Sequence, residues 1–178
     1  TSGYTLTFSN RLVLAGDTII QIRTAGPKSV NGSLFVADEL QCGGRLIVNN
    51  LDPSQPPAFG STFKLFQAAR ITGSFARLDL PSVRQGLQWD TSLIAVDGSI
   101  RVVAGSVQML PLYLVNGSIA IRFQTAAGPT YRLESTTSME PSAVWTLVGS
   151  RVGNGGFAIF VVPARQTPTH QFFRVRAD

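Results

Sequence analysis

Apolar and polar residues alternate with a period of two along most of the chain, the pattern of strands with one buried and one solvated face. In the segment SIAIRFQ, Ile119, Ile121 and Phe123 fall on one side and Ala120, Arg122 and Gln124 on the other. The same reading finds strand-like pulses from YTLTF, RLVL and TIIQIR near the start to VWTLVG, GFAIFVV and FFRVR near the end. Between pulses stand Gly16-Asp17, Asn31-Gly32, Gly43-Gly44, Asp97-Gly98, Asn116-Gly117 and Asn154-Gly155-Gly156, which suit tight turns that need positive φ. No segment carries a long apolar stripe at helical spacing. The pattern predicts an all-β protein.

The texture changes along the chain. Up to about Val103 the strands are short and closely spaced, and phrases such as NRLVLAGDTIIQI and CGGRLIVNN read as coils of a solenoid, each burying its apolar residues against the next. From about Ser106 the strands lengthen, and SIAIRFQTAAGPTYRLES reads as two strands around a Gly-Pro turn. The expected organisation is a β-solenoid-like segment over 1–104, packed against a small antiparallel β-sandwich, fibronectin- or immunoglobulin-like, over 105–178. In the first part Leu46, Val48, Phe63, Leu65, Leu78 and Leu80 are expected to share one core, with Arg45, Lys64 and Asp79 largely exposed. In the second, Tyr131, Leu133, Trp145, Leu147, Phe173 and Val175 are expected at the centre.

Composition agrees with this picture. The chain has 178 residues, 44% of them hydrophobic, enough for a substantial core, and only 14% charged, against about 25% in an average soluble protein. The formal charge of +5 favours anionic partners. Its arginines are scattered singly and form no cluster with stacking aromatics, so nucleic acid is not an expected partner. Cys42 is the single cysteine, which leaves no internal disulfide and no thiolate zinc site. No run of 18 apolar residues predicts a membrane-spanning helix. The opening TSGYTLTF lacks a leader pattern and fits a processed terminus or a fragment.

Reactive constellations are sparse. A serine hydrolase needs a base beside its nucleophile, and the single histidine, His170, stands in the polar stretch RQTPTHQFF with no Gly-x-Ser-x-Gly elbow anywhere. A glycosidase needs two carboxylates across a cleft; Asp79 with Asp90, or Asp38 with Glu39, are the pairs that proximity would have to supply. Neither a calcium loop nor a histidine pair occurs, although turn carbonyls near Asp52 or Asp97 are conceivable calcium ligands. The expectation is no enzyme, no cofactor and no metal. Arg122 and Arg132, expected on neighbouring strands, and Arg174 and Arg176 on the last strand are read either as a solvated sheet face or as a basic patch for acidic glycan or a partner subunit. Asn31-Gly-Ser33 and Asn116-Gly-Ser118 match glycosylation acceptors but are better explained as turns.

The stretch GSTFKLFQAARITGSFARLDLPSVRQGLQWDTSLIAVDGSIRVV, 60–103, resembles the terminal segment of bacterial autotransporter-associated β-strand repeat proteins. The motif elements are a G-D/S-x-F-x-L-F strand, a G-x-F step, an L-P…GL-x-WDTS corner and a DG-x-I-x-V strand. RLVLAGDTIIQI and GGRLIV are similar to the last coils of the right-handed parallel β-helix that precedes that segment. YRLESTTSMEPSAVWTLVG with the closing FFRVRA resembles a short C-terminal β-sandwich module of large secreted bacterial proteins, with Met139 where leucine is common. These resemblances cover most of the chain after about residue 11 and imply an extracellular or cell-surface location. They transfer no catalytic residues.

Two readings of the QWDTS corner follow. In one, Trp89 fills a β-corner while Asp90, Thr91 and Ser92 satisfy backbone donors. In the other, Trp89 is a sugar-stacking platform, with Asp90, Gln88 and Arg84 meeting the hydroxyls. At the level of function, the first expectation is a non-catalytic extracellular module binding carbohydrate or cell-envelope material. The alternative is a purely structural adhesin or filament segment that self-associates through β-edges. A fragment of a polysaccharide-active enzyme comes third.

Overall fold

The computed structural model describes residues 3–25, 28–164 and 170–178. The alternation materialises as strands throughout, with no helix among the described residues. The chain divides into two compact units, Thr1–Arg84 with Gln88–Val103, and Gln85–Leu87 with Ala104–Asp178.

In the first unit the strands are β1 (Thr5–Phe8), β2 (Leu12–Val13), β3 (Asp17–Ala25), β4 (Lys28–Asn31), β5 (Ser33–Cys42), β6 (Arg45–Asn50), β7 (Thr62–Lys64), β8 (Phe66–Gly73), β9 (Arg77–Asp79), β10 (Leu87–Asp90) and β11 (Ser99–Ala104). Two parallel stacks organise them. β1 and β2 both pair with β5, which pairs with β8, while β3 pairs with β6 and β6 with β9. The register between the first layers is constant: Thr5 pairs with Ser33, Leu12 with Leu40 and Asp17 with Arg45, each 28 residues apart. β4 folds back antiparallel onto the end of β3. β7, β10 and β11 form a separate three-stranded sheet.

The backbone ladder continues through the corner between the two stacks. Leu14 N–H donates to Gln41 O (2.9 Å), Arg45 N–H to Gly16 O (3.1 Å) and Ala76 N–H to Gly44 O (2.7 Å). The layers approach so closely here that a β-carbon at Gly44 would overlap the carbonyl oxygens of Ala15 and Gly16, and Gly44 has φ +64°. Glycine meets both demands at once.

Inward positions of successive layers align into one core of Ile20, Ile22, Leu34, Val36, Leu40, Cys42, Leu46, Val48, Phe63, Leu65, Phe66 and Ile100. Of the expected set, Leu46, Val48, Phe63 and Leu65 are buried, and Leu78 and Leu80 pack partly buried against them. Arg45 and Lys64 keep 41% and 47% of their side-chain surface, but Asp79 keeps only 24%, against expectation. The parallel register sets Arg45 beside Arg77, and both guanidiniums close over the Asp79 carboxylate.

The second unit contains β12 (Tyr113–Val115), β13 (Ser118–Gln124), β14 (Ala127–Thr136), β15 (Thr146–Asn154), β16 (Phe157–Pro163) and β17 (Phe172–Ala177). They form two antiparallel sheets, β12–β13–β16 and β15–β14–β17. Their inner faces share apolar clusters: Ile121, Val162 and Leu133 in one, and Phe123, Tyr131 and Ala158 in the other. The Asn116-Gly117 turn joins β12 and β13 with φ of 48° and 71°, the two-residue hairpin its sequence suits.

Two expectations for this unit are corrected. β13 and β14 do not form a hairpin around Gly128-Pro129; those residues lie inside β14, and the chain passes from one sheet to the other at Thr125-Ala126. The crossing is pinned by the Ala126 N–H donating to Tyr131 Oη (2.7 Å) and the Thr125 N–H to Gly156 O (2.8 Å). The expected centre also loses two members. Tyr131 and Leu133 are buried and Phe173 and Val175 pack against them, but Leu147 is 56% exposed and Trp145 stands half-buried outside the clusters. The cause is a bulge in β15: Leu133 faces Gly149 while the adjacent Glu134 faces Leu147. The extra residue, Val148, flips the alternation and turns Leu147 outward.

Candidate functional site

The QWDTS corner is built from the β10–β11–β7 sheet. Ile100 of β11 pairs with Phe63 of β7, and both are buried. Trp89, on β10, packs half-buried against this core with its ring 5.8 Å from that of Phe63. Its indole Nε1–H donates to the carbonyl of Pro81 at 2.7 Å. Asp90 accepts the Ser92 N–H (2.9 Å) on Oδ1 and the Arg101 guanidinium (2.7 Å) on Oδ2. The Ser92 hydroxyl and N–H, then Arg101, hold the Asp90 carboxyl down to about 2. Gln88 and Arg84 are exposed nearby in sequence. Trp89 and Asp90 therefore meet Pro81 and Arg101, residues the sequence offered no spacing to select.

Charge on the parallel stacks is arranged across layers. Glu39 accepts from Thr72 Oγ1 (2.8 Å) and Arg70 (3.0 Å), with Arg11 at 3.6 Å. These donors, the Thr72 hydroxyl first, lower its carboxyl from the ordinary value. Hydrogen bonds from Arg77 and Arg45 do the same for Asp79, and Asp17 lies 3.8 Å from Arg45. The carboxylates considered as an acid pair, Asp79 and Asp90, are thus each engaged by arginine. A shallow cleft of about 360 Å³ runs beside the corner, lined by Ile47, Asn49, Asn50, Asp79, Leu80 and Pro81 among others. The Asn50 amide is committed to the Asp52 and Gln55 carbonyls at 2.9 and 3.0 Å. Asp52 itself accepts from Ser54 N–H, and Asp97 from Ser99 N–H.

In the second unit the four arginines separate. Arg132 pairs across strands with Arg176, and Glu134 with Arg174, so these side chains share one face of the β15–β14–β17 sheet. Arg174 bonds Glu134 at 2.6 Å and lies 4.2 Å over the Trp145 ring, and Arg132 lies 3.0 Å from Asp178. Arg122 is on β13, in the other sheet, which corrects its expected place beside Arg132. Its guanidinium sits 4.1 Å over the Phe157 ring. His170 is exposed ahead of β17.

Among the described residues no group of three His, Cys, Asp or Glu side chains is placed to hold a metal ion. No helix among them is long and apolar enough to cross a membrane. No family model matches the chain, and no curated protein or solved structure matches it.

Proposed function

We propose that the chain is a non-catalytic structural module of a secreted or surface-exposed bacterial protein, whose first unit is the end of a parallel β-helix and whose second is a small β-sandwich. The 28-residue register between the first layers, the corner glycine and the layered core support the solenoid reading. The engagement of Glu39, Asp79 and Asp90 by arginines supports a structural use of the acids over an acid–base one.

One observation carries the assembly role. β1, Thr-Leu-Thr-Phe, is exposed along its whole length and contains no charge or proline. Leu6 and Phe8 pair with buried Leu34 and Val36 but are themselves 62% and 37% exposed. Soluble proteins normally shield such an edge with charge, proline or a bulge, because it templates strand addition. On this reading β1 is where a further strand-bearing layer, such as that of a second copy, docks. Analytical ultracentrifugation tests it. The chain is expected to self-associate with concentration, and Leu6→Lys is expected to leave it monomeric; a wild-type chain that stays monomeric throughout would sink this reading.

Carbohydrate retention is a second reading. The Trp89 corner supports it little, since both the indole N–H and the Asp90 carboxylate are already bonded within the fold. A different face supports it better: Tyr113, Arg122 and Phe157 share one side of the β12–β13–β16 sheet.

A further inference from the structure

The inner side of the β12–β13–β16 sheet takes Ile119, Ile121 and Phe123, facing Val162, Phe160 and Ala158 across the ladder. Alternation puts polar residues on the other side of a sheet that faces water. Here that side carries Tyr113, 45% exposed, Val161, 65%, and Phe157, 54%. The rungs run Tyr113–Ala120–Val161, then Arg122–Ile159, then Gln124–Phe157. Four residues of strand separate the first rung from the last, about 13 Å at strand rise. Between Tyr113 and Val161 the rung passes through Ala120, which is buried. Contiguous exposed apolar residues of this kind are a feature of binding surfaces.

Its charge is the informative part. The three strands contain no aspartate or glutamate, and Arg122 is their one charged residue. Arg132 and Arg174 on the other sheet have acids against them; Arg122 rests on an aromatic ring. A guanidinium stacked in this way keeps its forked N–H donors for an oxyanion of a ligand. Exposed aromatic rings accept the flat C–H faces of pyranoses, and Gln124 at the end of the row adds amide donor and acceptor capacity. One cation among apolar and aromatic groups does not suit nucleic acid, which calls for several phosphate contacts. A second copy docked face to face would bring two Arg122 guanidiniums toward each other. Resting on the carbohydrate reading above, we propose that this face binds an acidic polysaccharide, with a uronate carboxylate on Arg122, held by the Phe157 ring beneath it, and a sugar ring on Tyr113.

Affinity electrophoresis of the whole chain in gels containing polygalacturonate, or its fully methyl-esterified form, tests the proposal. Retardation is expected with polygalacturonate and weaker retardation with the ester. Arg122→Gln and Phe157→Ser are each expected to weaken retardation about tenfold, the scale of one lost charged contact, with thermal midpoints near wild type because Phe157 is exposed and glutamine keeps a polar side chain at the half-buried Arg122 position. Arg132→Gln, which removes the same charge from the face shared with Asp178, is expected to leave it unchanged. No retardation of the wild-type chain would overturn the proposal. So would equal loss in Arg122→Gln and Arg132→Gln, which is the behaviour of net charge alone. Dimerisation abolished by Phe157→Ser without glycan retention would also overturn it, by making the face an interface between copies.

Discussion

Asp90 and Trp89 illustrate how a polar residue and an aromatic one stabilise the same corner by different means. The Asp90 carboxyl sits at about 2 in the fold against an ordinary 3.8, so protonation favours the unfolded chain. Its contribution is fully present above about pH 4 and is lost as the pH falls toward 2. The urea midpoint is expected to drop across that window, and Asp90→Asn is expected to flatten the part of the drop that Asp90 causes. A variant with the same acid slope as wild type would contradict this. Trp89 acts through area and one hydrogen bond. Trp89→Ala is expected to destabilise by roughly 2–4 kcal/mol, below the full range for a buried aromatic because the ring is half-buried. Trp89→Phe is expected to cost about 1 kcal/mol, for the bond to Pro81. Both are read from urea unfolding. A loss below about 0.5 kcal/mol for the alanine variant, the range of ordinary surface changes, would mean the ring is dispensable to the fold.

At the scale of elements, β15 shows how one inserted residue overrides a pattern. By alternation with Trp145, Leu147 belongs to the centre; the bulge at Val148 puts it opposite Glu134 instead. Two glycines of β15 sit tightly against their neighbours: a β-carbon at Gly153 would overlap the Ala126 carbonyl and the Tyr131 ring, and one at Gly149 would press on Phe160. The two leucines should therefore respond differently. Leu133→Ala is expected to cost about 2–5 kcal/mol, as for a fully buried leucine. Leu147→Ala is expected to stay within about 0.5 kcal/mol of wild type. Thermal and urea unfolding of the pair would settle the register, and a larger loss at Leu147 would place the bulge elsewhere.

On the scale of the whole molecule, what stands out is how unevenly the surface is protected. Along the parallel stacks, Glu39 has Arg11 and Arg70 from neighbouring layers against it, and Asp79 has Arg45 from the neighbouring layer and Arg77 from its own strand. Such pairs are individually weak at a surface, but here they offset repulsion between like charges stacked layer on layer. β1, Thr-Leu-Thr-Phe, carries no charged residue of its own that could form such a pair. Since Leu6 is already 62% exposed, the Leu6→Lys change that is expected to block assembly should leave the melting temperature nearly unaltered, which separates an assembly defect from a folding one.

The all-β character, the turn sites and most inward positions were determined by the chain's own periodicity. An alternating pulse such as RLIV or SIAIRF has one apolar side wherever it is placed. That is why Leu46, Val48, Ile121 and Phe123 were legible as core from the residues alone. Partner choice between strands was not legible, because alternation records which face is buried and says nothing about which strand lies alongside. Only the tertiary structure decided that β13 and β14 belong to different sheets, that Arg122 parts from Arg132, and that Arg45 and Arg77 meet on Asp79. The 28-residue register was not legible in the sequence for the same reason. It is carried by paired backbone and by side-chain size at matching positions, such as Leu12 over Leu40, rather than by repeated residue identities. The face around Arg122 needed both sources. Its residues alternate visibly in the sequence, but the ring beneath the guanidinium depends on β16 lying next to β13, a contact between segments more than thirty residues apart.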